Sequence, residues 1–113
     1  MIEFKKPEKK YLNMLASKSY ERALAAALEE LYEYFQQWKE NKTNIFVLNQ
    51  SIHEFHDHTA RELYKFYHDL NPEMIVSHAI AEGILKEDEV EEKYLTLLKQ
   101  HIAYFKEENE QTT

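Results

Sequence analysis

Residues 20–38 read Y-E-R-A-L-A-A-A-L-E-E-L-Y-E-Y-F-Q-Q-W, and this stretch decides the fold. Tyr20, Leu24, Leu28, Leu31, Phe35 and Trp38 recur at steps of three and four, the spacing of one narrow apolar seam on an α-helix. Such a seam is the kind that packs in coiled coils. Ala23, Ala25, Ala26 and Ala27 add helix propensity and leave room for a second helix to approach. The helical pattern extends outward to about residues 8–41, with Pro7 just before it, where a missing N–H is harmless. About 33 residues of α-helix would be roughly 50 Å long. A helix of that length overhangs any compact head that a 113-residue chain can build. Its protruding seam needs a partner, and an identical chain is the simplest one. The expected fold is all-α, a long helical stalk with a small helical head. Dimerisation is expected through the stalk, at Leu24, Leu28, Leu31, Phe35 and Trp38.

Punctuation divides the remainder into three segments. The polar run Asn41-Lys42-Thr43-Asn44 ends the first helix and offers Thr43 or Asn44 as the next N-cap. The second helix is expected over about residues 45–70. Asn71-Pro72-Glu73 restarts a third, with Asn as N-cap, Pro at the first position and Glu in the first turn. Met74, Ile75, His78 and Ala79 are expected to face inward, and Gly83 to close the helix in a left-handed conformation. The last helix is expected to start near Glu87 or Asp88. Its stripe is Val90, Tyr94, Leu97, Leu98, His101, Ile102 and Phe105, with a frayed polar tail after Lys106.

Composition bounds the function. The length suits a single domain, residues 1–113. Hydrophobic residues make up 43% of the chain, too many for a disordered one. There is no cysteine, so neither a disulfide framework nor a thiolate zinc site is available. That fits a cytoplasmic protein, as does a charged N-terminus without the apolar core of a secretory signal. The longest apolar runs, 23–28 and 45–48, are too short to cross a bilayer. A net charge of −7 argues against nucleic acid, which requires a concentrated basic surface. An acidic protein more naturally meets a basic or mixed-charge protein face.

Chemistry concentrates in residues 52–69, I-H-E-F-H-D-H-T-A-R-E-L-Y-K-F-Y-H-D. Ile52, Phe55, Thr59, Leu63, Phe66 and Leu70 form an apolar stripe at helical spacing. His53, Asp57 and Arg61 form one neighbouring row, and Glu54, His58 and Glu62 another. His53-Glu54-x-His56 falls short of the zincin signature, which needs His at i and i+4; position 57 is Asp57. His53 with His56 or Asp57 offers at most two ligands, with His78 or His101 as conceivable thirds. No nucleophile arrangement or phosphate-binding glycine loop is readable. The chain is therefore expected to be neither an enzyme nor a cofactor carrier. The aromatic groups Tyr32, Tyr34, Phe35 and Trp38, and Tyr64, Phe66 and Tyr67, are expected in the core and dimer interface.

Residues 52–55, with Glu82-Gly83-Ile84 downstream, resemble the fluorescence recovery proteins of cyanobacteria. That family carries a hydrophobe-His-Asp-Phe block, answered here by Ile52, His53, Glu54 and Phe55. Its Glu-Ile pair and Tyr-Asp turn are answered by Glu62-Leu63 and Tyr67-His68-Asp69, and its Tyr-x-Arg motif by Tyr20-Glu21-Arg22. The resemblance spans roughly residues 20–105. It implies a small all-helical homodimer that binds the photoactivated orange carotenoid protein and speeds its return to the resting form. The implied contact residues are His53, Glu54 and Phe55, with Gln50 and Arg61 as neighbours. Gln50 stands where the family has Trp. A family Arg that contacts the partner falls on Ala60, with Arg61 one position along. One position on a helix is a rotation of about 100°, which turns Arg61 away from that place. Two other readings stand beside this one. One is a helical dimeric adaptor with an unrelated protein partner. The other is a metal-binding protein that uses the His-rich helix.

Overall fold

The computed structural model describes residues 3–112. Met1 and Ile2 of the charged N-terminus, and Thr113 at the end of the expected domain, lie outside the described residues. The fold is all-α, with no strand among the described residues. Helix α1 runs Lys6–Lys39, α2 Ile45–Glu54, α3 Arg61–Asp69, α4 Pro72–Glu82, α5 Glu92–Leu97 and α6 Lys99–Thr112. A π-helical turn, Phe55–Ala60, joins α2 to α3 without a break. Among the described residues no helix is long and apolar enough to cross a membrane.

Two helices end in the same motif. At the end of α1, the Asn41 N–H donates to Trp38 O (3.1 Å) and the Lys42 N–H to Gln37 O (2.8 Å). At the end of α4, Gly83 N–H donates to Ile80 O (3.2 Å) and Ile84 N–H to Ala79 O (2.8 Å). Both are Schellman closures, which need one residue in the left-handed region. Gly83 supplies it at φ 81° and Asn41 at φ 61°. The next starts are capped by asparagine. Asn44 Oδ1 accepts from Val47 N–H (2.9 Å), and Asn71 Oδ1 from Met74 N–H (3.0 Å).

Helix α1 begins earlier than expected and takes Pro7 inside its first turn, where the N–H has no intrahelical partner anyway. The last segment is in three pieces rather than one. A 3₁₀ turn at Glu87–Glu89 comes first, with the Glu89 carboxylate accepting from the Lys86 N–H at 2.9 Å. Then α5 and α6 meet at Leu98, which is wholly buried, while Leu97 is exposed, contrary to the expected stripe. The expected frayed tail after Lys106 is instead helix through Thr112. Tyr104 donates to Glu108 Oε1 at 3.2 Å along this stretch.

The chain forms two compact units. The first takes the start of α1 through Ser19 and everything from Leu70 onward. It holds nearly all the core: Leu12 and Leu15 of α1, Ile75, Val76, Ala79 and Ile80 of α4, and Leu85, Val90, Tyr94, Leu98, Ile102 and Phe105 beyond. Tyr11 stacks on Tyr94 at 4.5 Å, and its hydroxyl accepts from the Glu91 N–H at 3.0 Å. Glu8 pairs with Lys93. The hydrogen bond from Lys93, helped by the Lys5 N–H, holds the Glu8 carboxyl below its ordinary pKa. His78 lies between α4 and α6, edge-on to Phe105 at 5.3 Å, with Nε2 3.6 Å from Glu82.

The second unit is Tyr20–Asp69, a hairpin of the rest of α1 against α2, the π turn and α3. Tyr20 stacks on Tyr67 at 4.8 Å and 12°. Tyr64 stacks on His68 at 3.9 Å, and His68 Nδ1 lies 2.7 Å from Tyr64 O.

Candidate protein-binding surface

The π turn sets the geometry of the His-rich helix, and it fits the spacing of the apolar residues on either side of it. Phe55 and Leu63 are eight residues apart, whereas two α-helical turns take about seven. On a continuous α-helix Glu62 would follow Phe55 inward and Leu63 would swing to the flank. A π turn closes i→i+5 bonds and takes up one extra residue. Leu63 is accordingly half-buried and Glu62 exposed. Ala60, five after Phe55, is half-buried in the place expected for Thr59. Thr59 and Ile52, both assigned to the apolar stripe by uniform spacing, are exposed. An eight-residue gap also occurs on a regular α-helix, as between Tyr20 and Leu28 of α1, so the spacing alone does not single out the π turn.

The same turn corrects the placement of Arg61. Arg61 is eight residues after His53, and the whole π turn lies between them. With one residue absorbed, it takes the angular place of a residue seven positions on, about two full turns from His53. His53 and Arg61 therefore share one side of the helix, and the 100° offset expected from α-helical spacing does not arise. His53, Glu54 and Arg61 are all exposed. Gln50 is exposed too, and its Nε2 donates to Glu54 Oε1 at 3.4 Å. Phe55 is half-buried and faces α1. Of the five nominated residues, Gln50, His53, Glu54 and Arg61 are exposed and Phe55 is half-buried, with Glu54 beside Phe55 on the side that faces α1.

Between α1 and this helix lies a cleft of about 170 Å³ lined by Ala27, Glu30, Leu31 and Tyr34 on one wall and Ser51, Glu54, Phe55 and Thr59 on the other. Leu31 therefore faces its own hairpin. The seam nominated for dimerisation divides in the same way. Leu24, Leu31 and Trp38 are half-buried, whereas Leu28 and Phe35 are exposed at 45% and 38%. With Tyr32, exposed at 60%, these two form a stripe at i, i+4 and i+7 on the open side of α1.

The two units differ sharply in what they bury. Among the described residues, every buried apolar side chain belongs to the first unit except Leu48. Among the described residues, every exposed large apolar side chain belongs to the second unit except Met14, Leu97 and Tyr104. Phe46, at the start of α2, is 80% exposed. Among the described residues no three His, Asp or Glu side chains come together to hold a metal ion. No protein-family model, no curated protein and no solved structure matches the chain.

Proposed function

We propose that the protein is a non-catalytic, protein-binding regulator that self-associates through its second unit and docks a partner on the side bearing His53, Glu54 and Arg61. The observation that carries this reading is the apolar load of Tyr20–Asp69, where Leu28, Tyr32, Phe35 and Phe46 stand open to solvent. Exposed apolar surface concentrated on one element marks an interaction site. Aromatic and arginine side chains are the ones enriched in binding hot spots.

The resemblance to the fluorescence recovery proteins suggests one partner. In that reading the chain binds the photoactivated orange carotenoid protein and favours its compact resting form, which requires tighter binding to one state than the other. What supports it is the π turn, which gives Arg61 the angular place that position 60 would hold on an uninterrupted α-helix. The test is the dark relaxation rate of photoactivated orange carotenoid protein with and without the chain. A concentration-dependent acceleration is expected. An unchanged rate, with no co-migration on sizing, would overturn the carotenoid partner and leave the helical adaptor.

A further inference from the structure

We infer that the second unit folds as a pair: residues 20–69 hold their helices only when two copies pack their hairpins together, so the monomer is folded in its first unit alone. The inference rests on the self-association proposed above and adds its consequence for order. The first unit draws its core from α1, α4, α5 and α6, and closes it on itself. The second has Leu48 as its one buried apolar side chain among the described residues. A hairpin gives each helix a single neighbour, whereas an apolar stripe needs cover over a broad arc. Ordering each residue costs conformational entropy that burial must offset, and here little is buried. The π turn subtracts further, because it interrupts the regular i→i+4 ladder in the middle of one helix.

The occupant that fits is a second copy. An open apolar hollow lies on α1 between Tyr32 and Phe35 and the stems of Gln36, Lys39 and Glu40. The same hairpin presents Phe46 as a projecting apolar side chain. A projection and a hollow on one unit are what a two-fold, self-complementary contact requires, each copy giving Phe46 and receiving it. Pairing two hairpins also gives every helix a second neighbour, the arrangement of a four-helix bundle. Because His53, Glu54 and Arg61 ride on the helix so ordered, partner binding and self-association are thermodynamically linked.

The test is hydrogen exchange by mass spectrometry on the full chain across a dilution series, with mass measured in parallel by light scattering. Dilution to monomer is expected to speed exchange in residues 20–69 by at least about a hundredfold, while α4 and α6 stay protected. Phe46→Ser and Leu28→Glu are expected to do the same at high concentration, with α4 and α6 reporting that the first unit is intact. Monomers whose hairpin amides stay as protected as in the dimer would overturn the inference alone. A chain monomeric at every concentration would overturn the self-association reading as well. A dimer that survives dilution and both substitutions would put the contact elsewhere and also overturn the inference.

Discussion

Deleting a residue from the middle of a helix normally rotates everything after it by about 100°, but deleting Thr59 should not. Without Thr59, Phe55 and Leu63 are seven residues apart, and an uninterrupted α-helix carries both inward. Ala60 then follows Phe55 at i+4, and Arg61 follows His53 at seven, so neither the inner side nor the outer one changes. Thr59 is exposed, and its loss removes no buried apolar surface. Stability should stay within about 1 kcal/mol of the parent, the range of ordinary surface changes. Deleting Lys65, also exposed, is the control. No extra residue is stored there, so Phe66 and Tyr67 would turn off the hairpin's inner side. Burying an aromatic side chain fully is worth about 1.5–3 kcal/mol; two half-buried ones, with the Tyr20–Tyr67 stack at about 0.5–1.5, give roughly 2–4 kcal/mol. The assay is urea unfolding followed by far-ultraviolet circular dichroism, with exchange of residues 45–69 as the local readout. Equal losses in the two deletions would refute the argument that the π turn stores one residue.

Four further outcomes follow. Gly83→Ala should cost about 1 kcal/mol, a few degrees in melting temperature, because an added Cβ meets nothing within 4 Å and only the left-handed backbone opposes it; Asn41→Gly should be neutral or mildly stabilising in the same assay. Burial holds the pKa of His78 below its ordinary value, against the opposing pull of Glu82 and Glu108. Its contribution to stability is therefore complete above the unfolded pKa of about 6.5 and lost as pH falls through it toward the lower folded value; His78→Gln should flatten that part of a stability-against-pH curve. Leu98→Ala, at a wholly buried junction, should cost about 2–5 kcal/mol in urea unfolding. If the proposed partner is the right one, His53→Leu and Arg61→Ala should each weaken binding to the photoactivated carotenoid protein while leaving helicity and mass unchanged; normal binding by both would place the docking side elsewhere.

Periodicity and capping chemistry made most of the secondary structure legible. Asn44, Asn71-Pro72 and Gly83 each do locally what their side chains or backbone dictate, and the boundaries fall beside them. Two of the differences come from assuming a constant step. Counting in α-helical turns put Thr59 inside and Arg61 out of line, because one extra residue between Phe55 and Leu63 is taken up by the backbone rather than by the pattern. The same habit ran Glu87 to Phe105 as one helix, where the buried Leu98 instead sits at a break. The seam of α1 looks like one surface from its spacing alone. A stripe shows which side chains are apolar, but not which of two neighbours covers them, and Leu31 and Leu28 prove to face different ways.

That division bears directly on how self-association should be tested. A charge at Leu31 falls in the cleft beside Glu30, Glu54 and Phe55 and disturbs the hairpin itself. A monomeric Leu31→Glu variant would therefore be ambiguous between a lost contact and a lost fold. Leu28 stands on the open side of α1, so a glutamate there stays solvated in the monomer and is buried only when a second copy arrives. Leu28→Glu should lower the mass by light scattering without touching the cleft. An unchanged mass would show that the stripe of Leu28, Tyr32 and Phe35 is not where copies meet.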